Sequence, residues 1–445
     1  MSSFEGIVNR YVERTRKSRE LWNEAKGYLP RGVSSNFRVI DPHPIFIESA
    51  IGTTLTDADG NQYRDFAMAF GAMLTGHTHP AVVKAIEAQA RKGTLHAMPH
   101  RLEVSVAREL RRRFGQDQWR FANSGTEATM HSIRLARGYT GRSKVIKFEG
   151  GYHGGHDTVL VSTKAPIRVL GSKIRPRPIP ASDGIPEESY AHTLMATFND
   201  LGTVRRRFEE NLNEVACLIV EPIMLNMGVT EPDPDFLPGL RALCDEFEAL
   251  LIFDEVKTGV KIAPGGATEH YKVRPDIVCL AKAIGGGLPL AAFGASAEIM
   301  EELNSLRVIH VGTYASNPLT LAAAEATLKE VLTDDAYKRI FALNRRLVDG
   351  YASLIREHKL PFYANGVGCM GTINFKKDRM RNYRDWAAHD KKASAAWYLA
   401  MMSEGILPQP AGPDEQWTIS AQHTDADIDA HLKTFEKVIP LLKSL

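Results

Sequence analysis

A lysine and an aspartate stand where the sequence otherwise places apolar residues. Lys282 follows the apolar run 277–281 and precedes three glycines, and Asp254 closes the apolar run 250–253. Burying either charge costs several kcal/mol unless a partner compensates it. One interpretation is a buried ion pair. The other is chemical, because a desolvated lysine becomes a nucleophilic amine and a buried carboxylate can hold a protonated ring nitrogen.

Two glycine-rich segments follow other apolar runs. In NSGTEA, Ser124, Gly125 and Thr126 form a predicted tight turn before a helix, where N–H groups and hydroxyls converge on an anion such as phosphate. In GGYHGGHD, Tyr152 and His153 lie in a loop that lets the backbone approach a ligand closely and presents an aromatic face. An amine, an acid for a ring nitrogen, a phosphate cup and an aromatic face are together what pyridoxal 5'-phosphate (PLP) requires.

These residues need a sheet whose strands end at a common edge. Short β-branched or aromatic runs alternate with longer helical patterns, and most of the runs are continuously apolar, which is typical of strands covered on both faces. The predicted strands are 119–125, 144–150, 216–222, 250–256, 276–282 and 290–296, and the clearest predicted helices are 126–140 and 238–249. Since open α/β sheets bind ligands at the carboxyl ends of their strands, we expect the chemistry there.

The two ends of the chain differ from its centre in their residue patterns. Residues 1–28 have the pattern of one amphipathic helix, and 52–66 have that of a hairpin with an Asp-Gly turn. The 445 residues exceed the usual size of a single core, so more than one lobe is expected. The predicted division is an N-terminal segment 1–60 belonging to a small lobe, a large PLP-binding α/β domain 61–325, and a small C-terminal α+β domain 326–445.

The ordered series of motifs resembles one known family. NSGTEA, GGYHGGHD, VEP, FDEVKTG, AKAIGGGLP and GTYASNP, in this order, are similar to the motifs of the class III, fold type I PLP-dependent aminotransferases. Within that family the chain looks most like the branch of glutamate-1-semialdehyde aminomutase, D-phenylglycine aminotransferase and the β-amino-acid aminotransferases. The resemblance implies an α/β fold whose large domain has a mostly parallel seven-stranded sheet sandwiched by helices, with a smaller α+β lobe built from both termini.

The resemblance also implies roles for individual residues. By position, Lys282 corresponds to the lysine that forms a Schiff base with PLP, and Asp254 to the partner of the pyridine nitrogen. Thr313 corresponds to a phosphate-binding threonine from the neighbouring subunit, which implies a homodimer with shared active sites. The other cofactor-binding residues implied are Ser124, Gly125 and Thr126 at the phosphate, Tyr152 and Val256 on the two ring faces, and His153 and Glu221 nearby. A purely structural role is an open alternative for both Glu221 and Glu127.

Three further residues are candidates for substrate binding. Arg38 aligns with the arginine that binds the substrate carboxylate in the aminomutase, and a guanidinium suits a carboxylate through paired hydrogen bonds. An exposed loop arginine is the alternative interpretation. Phe70 falls at an aromatic pocket position and Glu415 lies near a late active-site carboxylate, with core packing of Phe70 and solvent exposure of Glu415 as the alternatives.

The activity implied is that of a PLP-dependent aminotransferase. It moves an amino group from an amino acid or amine, aromatic and β-amino acids included, to a keto acid by a ping-pong mechanism through Lys282. The alternative is a glutamate-1-semialdehyde 2,1-aminomutase, an isomerase that moves the amino group within one molecule. No G-x-G-x-x-G fingerprint opens a βαβ unit, as a nicotinamide-dependent dehydrogenase would need, and a non-catalytic relative would have lost Lys282 or Asp254.

Composition argues against other classes of protein. The 55 Lys and Arg against 53 Asp and Glu give no electrostatic reason to expect a nucleic acid or a membrane as partner. No apolar run approaches the roughly 18 residues of a membrane span, the N-terminus lacks a signal-peptide pattern, and the four cysteines lack CxxC spacing, so we expect a cytoplasmic protein with free thiols. HAMPH has a proline between its histidines and HGGH lies in the glycine-rich loop, so no metal is expected.

Overall fold

The computed structural model describes residues 4–445, which form two compact units. The first unit comprises the described residues up to Pro80 together with Lys338–Arg379 and His389–Leu445, and the second comprises Ala81–Tyr337 and Met380–Ala388. The units therefore divide near residues 80 and 337, whereas the sequence-based division was set at 60 and 325. The assignment of the domains stays a prediction.

The strands and helices are numbered along the chain. The strands are β1 (Ile47–Ile51), β2 (Thr54–Asp57), β3 (Gln62–Asp65), β4 (Gln118–Ala122), β5 (Lys144–Phe148), β6 (Gly171–Ser172), β7 (Arg175–Pro176), β8 (Thr193–Ala196), β9 (Val215–Val220), β10 (Leu250–Asp254), β11 (Ile277–Leu280), β12 (Ala291–Ala295), β13 (Tyr363–Val367), β14 (Met370–Asn374), β15 (Ile406–Leu407) and β16 (Trp417–Thr418). The helices are α1 (Phe4–Arg14), α2 (Arg16–Ala25), α3 (Met68–Gly71), α4 (Pro80–Ala90), α5 (Arg101–Phe114), α6 (Gly125–Thr140), α7 (Glu187–Tyr190), α8 (Leu201–Glu209), α9 (Phe236–Glu246), α10 (Gly266–Tyr271), α11 (Ala297–Asn304), α12 (Pro318–Ala326), α13 (Asp334–Glu357), α14 (Tyr383–Trp386), α15 (Lys391–Ser403) and α16 (Asp425–Lys443).

The second unit is built on a seven-stranded sheet in the order β4-β12-β11-β10-β9-β5-β8. Each pair from β11 to β8 is parallel, and only β12 runs antiparallel to its two neighbours. The predicted mostly parallel seven-stranded sheet of an α/β fold is therefore confirmed.

Continuous apolar runs form the centre of this sheet because both of its faces are covered. Every residue of β9, β10, β11 and β12 is buried. Helix α6 packs on the sheet, and its Ile133 and Ala136 share a core with Cys217, Ile252 and Phe293 from the strands. The sheet and α6 thus form one rigid layer pair that fixes where the strand ends lie.

The predicted elements differ from the observed ones mainly at their ends. The predicted strands run two or three residues too far at most of their carboxyl ends, where the chain leaves the sheet, and strand β8 was not predicted. The single helix predicted for 1–28 is wrong for the described residues, because α1 and α2 are separated at Thr15, whose φ of −121° is not helical. Thr15 is buried and donates its hydroxyl hydrogen to the carbonyl of Tyr11.

The first unit contains two smaller sheets, with strand orders β1-β2-β3-β15 and β13-β14-β16. The predicted hairpin is present as the antiparallel pair β2 and β3. The turn α3 is unusual, because Met68, Ala69 and Phe70 all have positive φ, at 44°, 50° and 58°. Three consecutive non-glycine residues in the left-handed region are costly and occur mainly where the surrounding structure enforces them.

Two further observations concern the whole described chain. Among residues 4–445, no helix combines the length and the apolar character that crossing a lipid bilayer requires. The four cysteines, Cys217, Cys244, Cys279 and Cys369, are buried free thiols, as the sequence predicted.

Candidate active site

The strands that carry the predicted chemistry end along one edge of the seven-stranded sheet. Strands β5, β9, β10 and β11 are neighbours and run parallel, so their carboxyl ends lie side by side. Glu221 follows β9, Asp254 is the last residue of β10, and Lys282 stands two positions after β11. The loop with Tyr152 and His153 begins after β5. The structure thus brings these predicted site residues to one edge, as open α/β sheets do with ligand-binding groups.

Asp254 is a buried carboxylate without a lysine or arginine partner. It is 4% exposed, its Oδ2 lies 2.8 Å from Nδ1 of His153, and its Oδ1 accepts a hydrogen bond from the Val256 N–H at 3.1 Å. Within residues 4–445 no lysine or arginine forms an ion pair with it. A buried carboxylate in this state suits a protonated ring nitrogen, which would supply the missing positive charge. Asp254 therefore fits the pyridine nitrogen of PLP.

His153 is buried beside Asp254 and fixes one oxygen of its carboxylate. Since an ionised carboxylate only accepts hydrogen bonds, Nδ1 of His153 carries the shared hydrogen. The backbone of the histidine is held as well, because the Thr129 hydroxyl donates to the His153 carbonyl at 2.5 Å. Its Nε2 is buried and has no hydrogen-bond partner within the described chain. The arrangement orients Asp254 toward the sheet edge.

Two glutamates expected near the cofactor bind the surrounding backbone. Oε1 of Glu221 accepts the Tyr152 N–H at 2.9 Å, and its Oε2 accepts the Asn226 side chain at 2.8 Å. Burial raises the pKa of the Glu221 carboxyl, with the nearby Asp254 charge adding to the shift. Oε2 of Glu127 accepts both the backbone and the side-chain N–H of Asn123, at 2.8 and 3.1 Å. Both contacts are of the structural kind that the sequence left open.

The predicted phosphate cup lies at the N-terminus of α6. Ser124 caps the helix by accepting the N–H of residue 127 at 3.2 Å, and Thr126 Oγ1 accepts the Gly155 N–H at 3.1 Å. Gly125 is required by space, because a Cβ there would lie 2.9 and 3.0 Å from the methyl groups of Val256. A helix N-terminus with free N–H groups and hydroxyls attracts an anion. These residues therefore fit the phosphate of PLP.

Lys282 is partly exposed, so the prediction of a buried lysine is wrong. The apolar run before it is buried, but the chain leaves the sheet at Leu280 and the side chain emerges at the sheet edge. The backbone of Lys282 is left-handed, with φ at 53°, and begins a short 3-10 helix. Strain of this kind in a non-glycine residue is concentrated at functional sites.

One buried charge in the same region was missed by the sequence reasoning. Lys147, in β5, is fully buried and donates to three backbone carbonyl oxygens of the following loop. The sequence does indicate this charge, because Lys147 interrupts the apolar run KVIKF. Lys282 stands in a similar way at the end of another apolar run. The two lysines differ in that the ammonium of Lys147 is fully enclosed.

The candidate substrate residues lie in the first unit. Arg38 is exposed and donates to the Ser34 hydroxyl, and Phe70 is partly exposed and pairs with the Phe37 ring at 6.0 Å between centroids. Arg38 and Phe70 both line a cavity of about 520 Å³ within this unit, whose walls are mainly apolar. Glu415 is buried, at 4% exposed, so the solvent-exposed alternative for it is wrong. Phe70 is only partly buried, and it borders the cavity.

Thr313 lies in the exposed stretch between α11 and α12. One histidine in each of the motifs HAMPH and HGGH has another partner, since His100 Nε2 lies 2.8 Å from the Ser316 carbonyl oxygen and His153 bonds to Asp254. In the described part of the chain, no three His, Cys, Asp or Glu side chains are grouped as a metal site requires.

Comparison with known proteins identifies the family of the chain. The model of the class-III aminotransferases matches residues 37–439. The chain is 39% identical over 434 residues to a glutamate-1-semialdehyde 2,1-aminomutase of Desulfitobacterium hafniense, covering 96% of this chain and 98% of that protein. An omega-transaminase of Sphaerobacter thermophilus superposes with a TM-score of 0.91 at 29% identity, covering 96% of this chain and 98% of its own. A glutamate-1-semialdehyde aminomutase variant of Pseudomonas aeruginosa in complex with PMP superposes with a TM-score of 0.90 at 28% identity, covering 99% and 97%.

The match extends over nearly the whole chain, and the residues at the sheet edge fit PLP in their donor groups and their charge. PLP is the cofactor, and the chain belongs to the class-III aminotransferase family.

Proposed function

We propose that this enzyme is an aminotransferase that moves an amino group from a carboxylate-bearing amino acid with an apolar or aromatic substituent to a keto acid. The observation that carries the proposal is the grouping of Lys282, Asp254 and the α6 N-terminus at one sheet edge. Bound PLP supplies an aldehyde that captures amines and a protonated ring that withdraws electrons from the neighbouring carbon.

We propose a separate role for each of the residues at this sheet edge. Asp254 holds the ring nitrogen in its protonated form, and His153 keeps the carboxylate in place. The Lys282 amine would hold the cofactor through its aldehyde and, once a substrate amine has taken its place there, would be the free base that moves the proton of the substrate carbon. A positioned amine of this kind contributes roughly 10² to 10⁴ in rate. Because the donor product leaves before the acceptor enters, the kinetics are ping-pong.

The apolar cavity of the first unit supports the proposed substrate class. Its volume of about 520 Å³ and its mainly apolar walls suit an aliphatic or aromatic substituent. Arg38 lines the same cavity, and a guanidinium recognises a carboxylate through paired hydrogen bonds. We propose that Arg38 and Phe70 contact the carboxylate and the apolar group of the substrate, respectively.

The alternative is the aminomutase activity, which the 39% identical Desulfitobacterium hafniense relative favours. An aminomutase needs no separate acceptor, since the amino group stays within one molecule. The two activities therefore differ in whether a separate keto acid is consumed.

A donor panel tests the proposal directly. PLP-loaded enzyme is mixed with single amino donors, including aromatic α- and β-amino acids, and conversion to the PMP form is followed by absorbance. Sustained turnover is then measured with 2-oxoglutarate or pyruvate. Turnover of aromatic donors with a keto acid is the expected result. Turnover confined to glutamate-1-semialdehyde, without any acceptor, would replace the transferase by the isomerase. In the same panel Arg38→Ala is expected to lower the affinity for acidic donors about tenfold or more, because the substrate carboxylate loses a charged hydrogen-bond partner.

We also propose that the enzyme acts as a homodimer. Among the large apolar side chains of the second unit that are more than half exposed, five lie in the two segments 98–104 and 309–314, namely Met98, Val104, Ile309, Val311 and Tyr314. The two segments that carry them are joined, since Ser316 bonds to both His100 and Glu103. An exposed apolar patch of this kind marks an interface. The position of Thr313 beside Val311 and Tyr314 supports its proposed contact with the cofactor of a second copy.

A further inference from the structure

Lys147 is a fully buried lysine whose ammonium has only neutral partners. Its Nζ donates to the carbonyl oxygens of Gly151, Val159 and Val161, at 2.8, 2.9 and 2.6 Å. Within the described chain no carboxylate forms an ion pair with it. An ammonium carries three hydrogens, so all of its donors are satisfied. The ammonium of Lys147 is therefore stabilised by these three carbonyl groups and not by an ion pair.

The three acceptors lie at the two ends of one loop. Gly151 directly precedes Tyr152, whereas Val159 and Val161 lie at the far end, close to where the chain turns back. One side chain from the strand beneath thus joins the two ends of the loop 149–161. Burying this ammonium costs free energy, and the burial lowers the pKa of Lys147 to about 7. Such a cost is retained when the hydrogen bonds it makes are needed.

The residues between these ends are those that face the cofactor. Tyr152 is held at its N–H by Glu221, and His153 is held at its side chain by Asp254. The same loop meets the phosphate cup, because the Gly155 N–H donates to Thr126. A shift of the loop ends would therefore move the aromatic face, the partner of Asp254 and a wall of the cup together.

We propose that Lys147 is a positioning residue that holds the loop 149–161 in its PLP-binding form. The inference rests on the proposed cofactor contacts of Tyr152 and His153, and it makes the affinity for PLP depend on a side chain that touches no part of the cofactor. It does not depend on which amino donor the enzyme uses.

The test compares the PLP dissociation constants of purified apo variants. Lys147→Met keeps the length of the side chain and removes all donors, and Lys147→Arg keeps the charge and the donors. Lys144→Met is the matched control, because Lys144 lies in the same strand and pairs with Glu214 at 2.7 Å, away from the loop. PLP is titrated into each apo protein and its visible absorbance is recorded.

Lys147→Met is expected to raise the dissociation constant about tenfold or more, Lys147→Arg to recover part of that loss, and Lys144→Met to leave it unchanged. Amide hydrogen exchange in 151–161 is expected to accelerate in the Met variant alone. A variant that melts earlier but binds PLP with an unchanged constant would show a purely structural role and overturn the proposal. Should Lys147→Met fail to fold, wild-type apoenzyme decides: unprotected amides in 152–160 before PLP is added would equally overturn it. Absence of transamination with every donor would leave these readouts unaffected and would count only against the proposed function.

Discussion

At the scale of single residues, Lys282 combines a strained backbone with the position that we propose for the reactive amine. Its apolar approach run is buried, but the residue itself adopts a left-handed φ of 53° at the sheet edge and is partly exposed. The sequence could indicate that a charged residue ends an apolar strand. It could not indicate how deeply that residue is buried, because its exposure is set by where the chain leaves the sheet, at Leu280.

Replacing Lys282 by alanine tests its proposed role. Lys282→Ala is expected to lower turnover by about 10² to 10⁴-fold, because no positioned amine remains to move the substrate proton. Borohydride treatment of the PLP-loaded wild type should label the peptide that contains Lys282, and the variant should carry no equivalent label on any peptide. Lys272→Ala is the matched control, since Lys272 is also a left-handed lysine, with φ at 56°, but lies exposed at the end of α10. A label that persisted on another lysine in Lys282→Ala would contradict the assignment.

The other buried charge, Lys147, predicts a pH dependence of stability. Burial lowers its pKa from 10.5 to about 7, with the Glu221 charge acting weakly in the opposite direction. Between pH 7 and 10.5 the unfolded chain therefore binds more protons at this site than the native chain, so stability rises with pH across this window. Below pH 7 both states carry the proton and the cost of the buried charge is felt in full.

The expected result is a difference between wild type and Lys147→Met that changes with pH. Relative to the variant, wild-type apoenzyme should gain stability between pH 7 and pH 10, on the order of a few kcal/mol in the free energy of unfolding. Thermal unfolding of both proteins across this range measures it, with Lys144→Met expected to follow wild type. A difference that stays constant with pH would mean that Lys147 keeps an ordinary pKa in the folded chain.

At the scale of elements, the sequence predicted the central strands well and their ends poorly. Strands β9 to β11 are continuous apolar runs, and burial on both faces makes such runs easy to identify. The predictions overran β5 and β9 into Glu149 and Glu221, which stay buried at the sheet edge after strand pairing has ended. Strand β8 escaped because its four residues at the sheet's rim give too short a pattern.

Helix α6 gives a prediction at this scale, since its N-terminus depends on one missing side chain. Gly125→Ala would place a Cβ 2.9 Å from Val256, so either the helix start or the valine must shift. Overpacking of this kind costs about 1 to 3 kcal/mol, and the PLP dissociation constant should rise about tenfold. Gly155→Ala is the control, because a Cβ there would meet no atom within 4 Å. Equal PLP affinity in the two variants would contradict the proposed cup.

At the scale of the whole molecule, the sequence predicted the family and two lobes. The limits of the lobes rested only on changes in residue pattern along the chain. The observed limits at residues 80 and 337 depend on contacts between distant parts of the chain, and the return of Met380–Ala388 to the second unit leaves no compositional mark. Arg384 in that excursion binds Glu149 with two hydrogen bonds, at 3.0 and 2.8 Å. An insertion held by a buried carboxylate is visible only once the fold brings both residues together.

The proposed dimer leads to a prediction that one chain alone could not satisfy. If Thr313 completes the phosphate site of a second copy, Thr313→Asp should abolish activity by setting a carboxylate against phosphate, while leaving the Lys282 of its own chain intact. Lys282→Ala is also inactive, but its defect lies in its own active site, and its Thr313 is intact. In a mixed dimer of these two variants, one site has both defects and the other has neither.

Mixing the two inactive variants after mild dissociation should therefore restore activity, approaching half of the wild-type value for each mixed dimer, and size-exclusion chromatography with light scattering should show two chains per particle. Mixing Lys282→Ala with itself under the same treatment is the control. If the mixture stays inactive although mixed dimers are demonstrated by differential tagging, each chain must bind its phosphate without the other, and the exposed segment around Val311 must serve assembly alone.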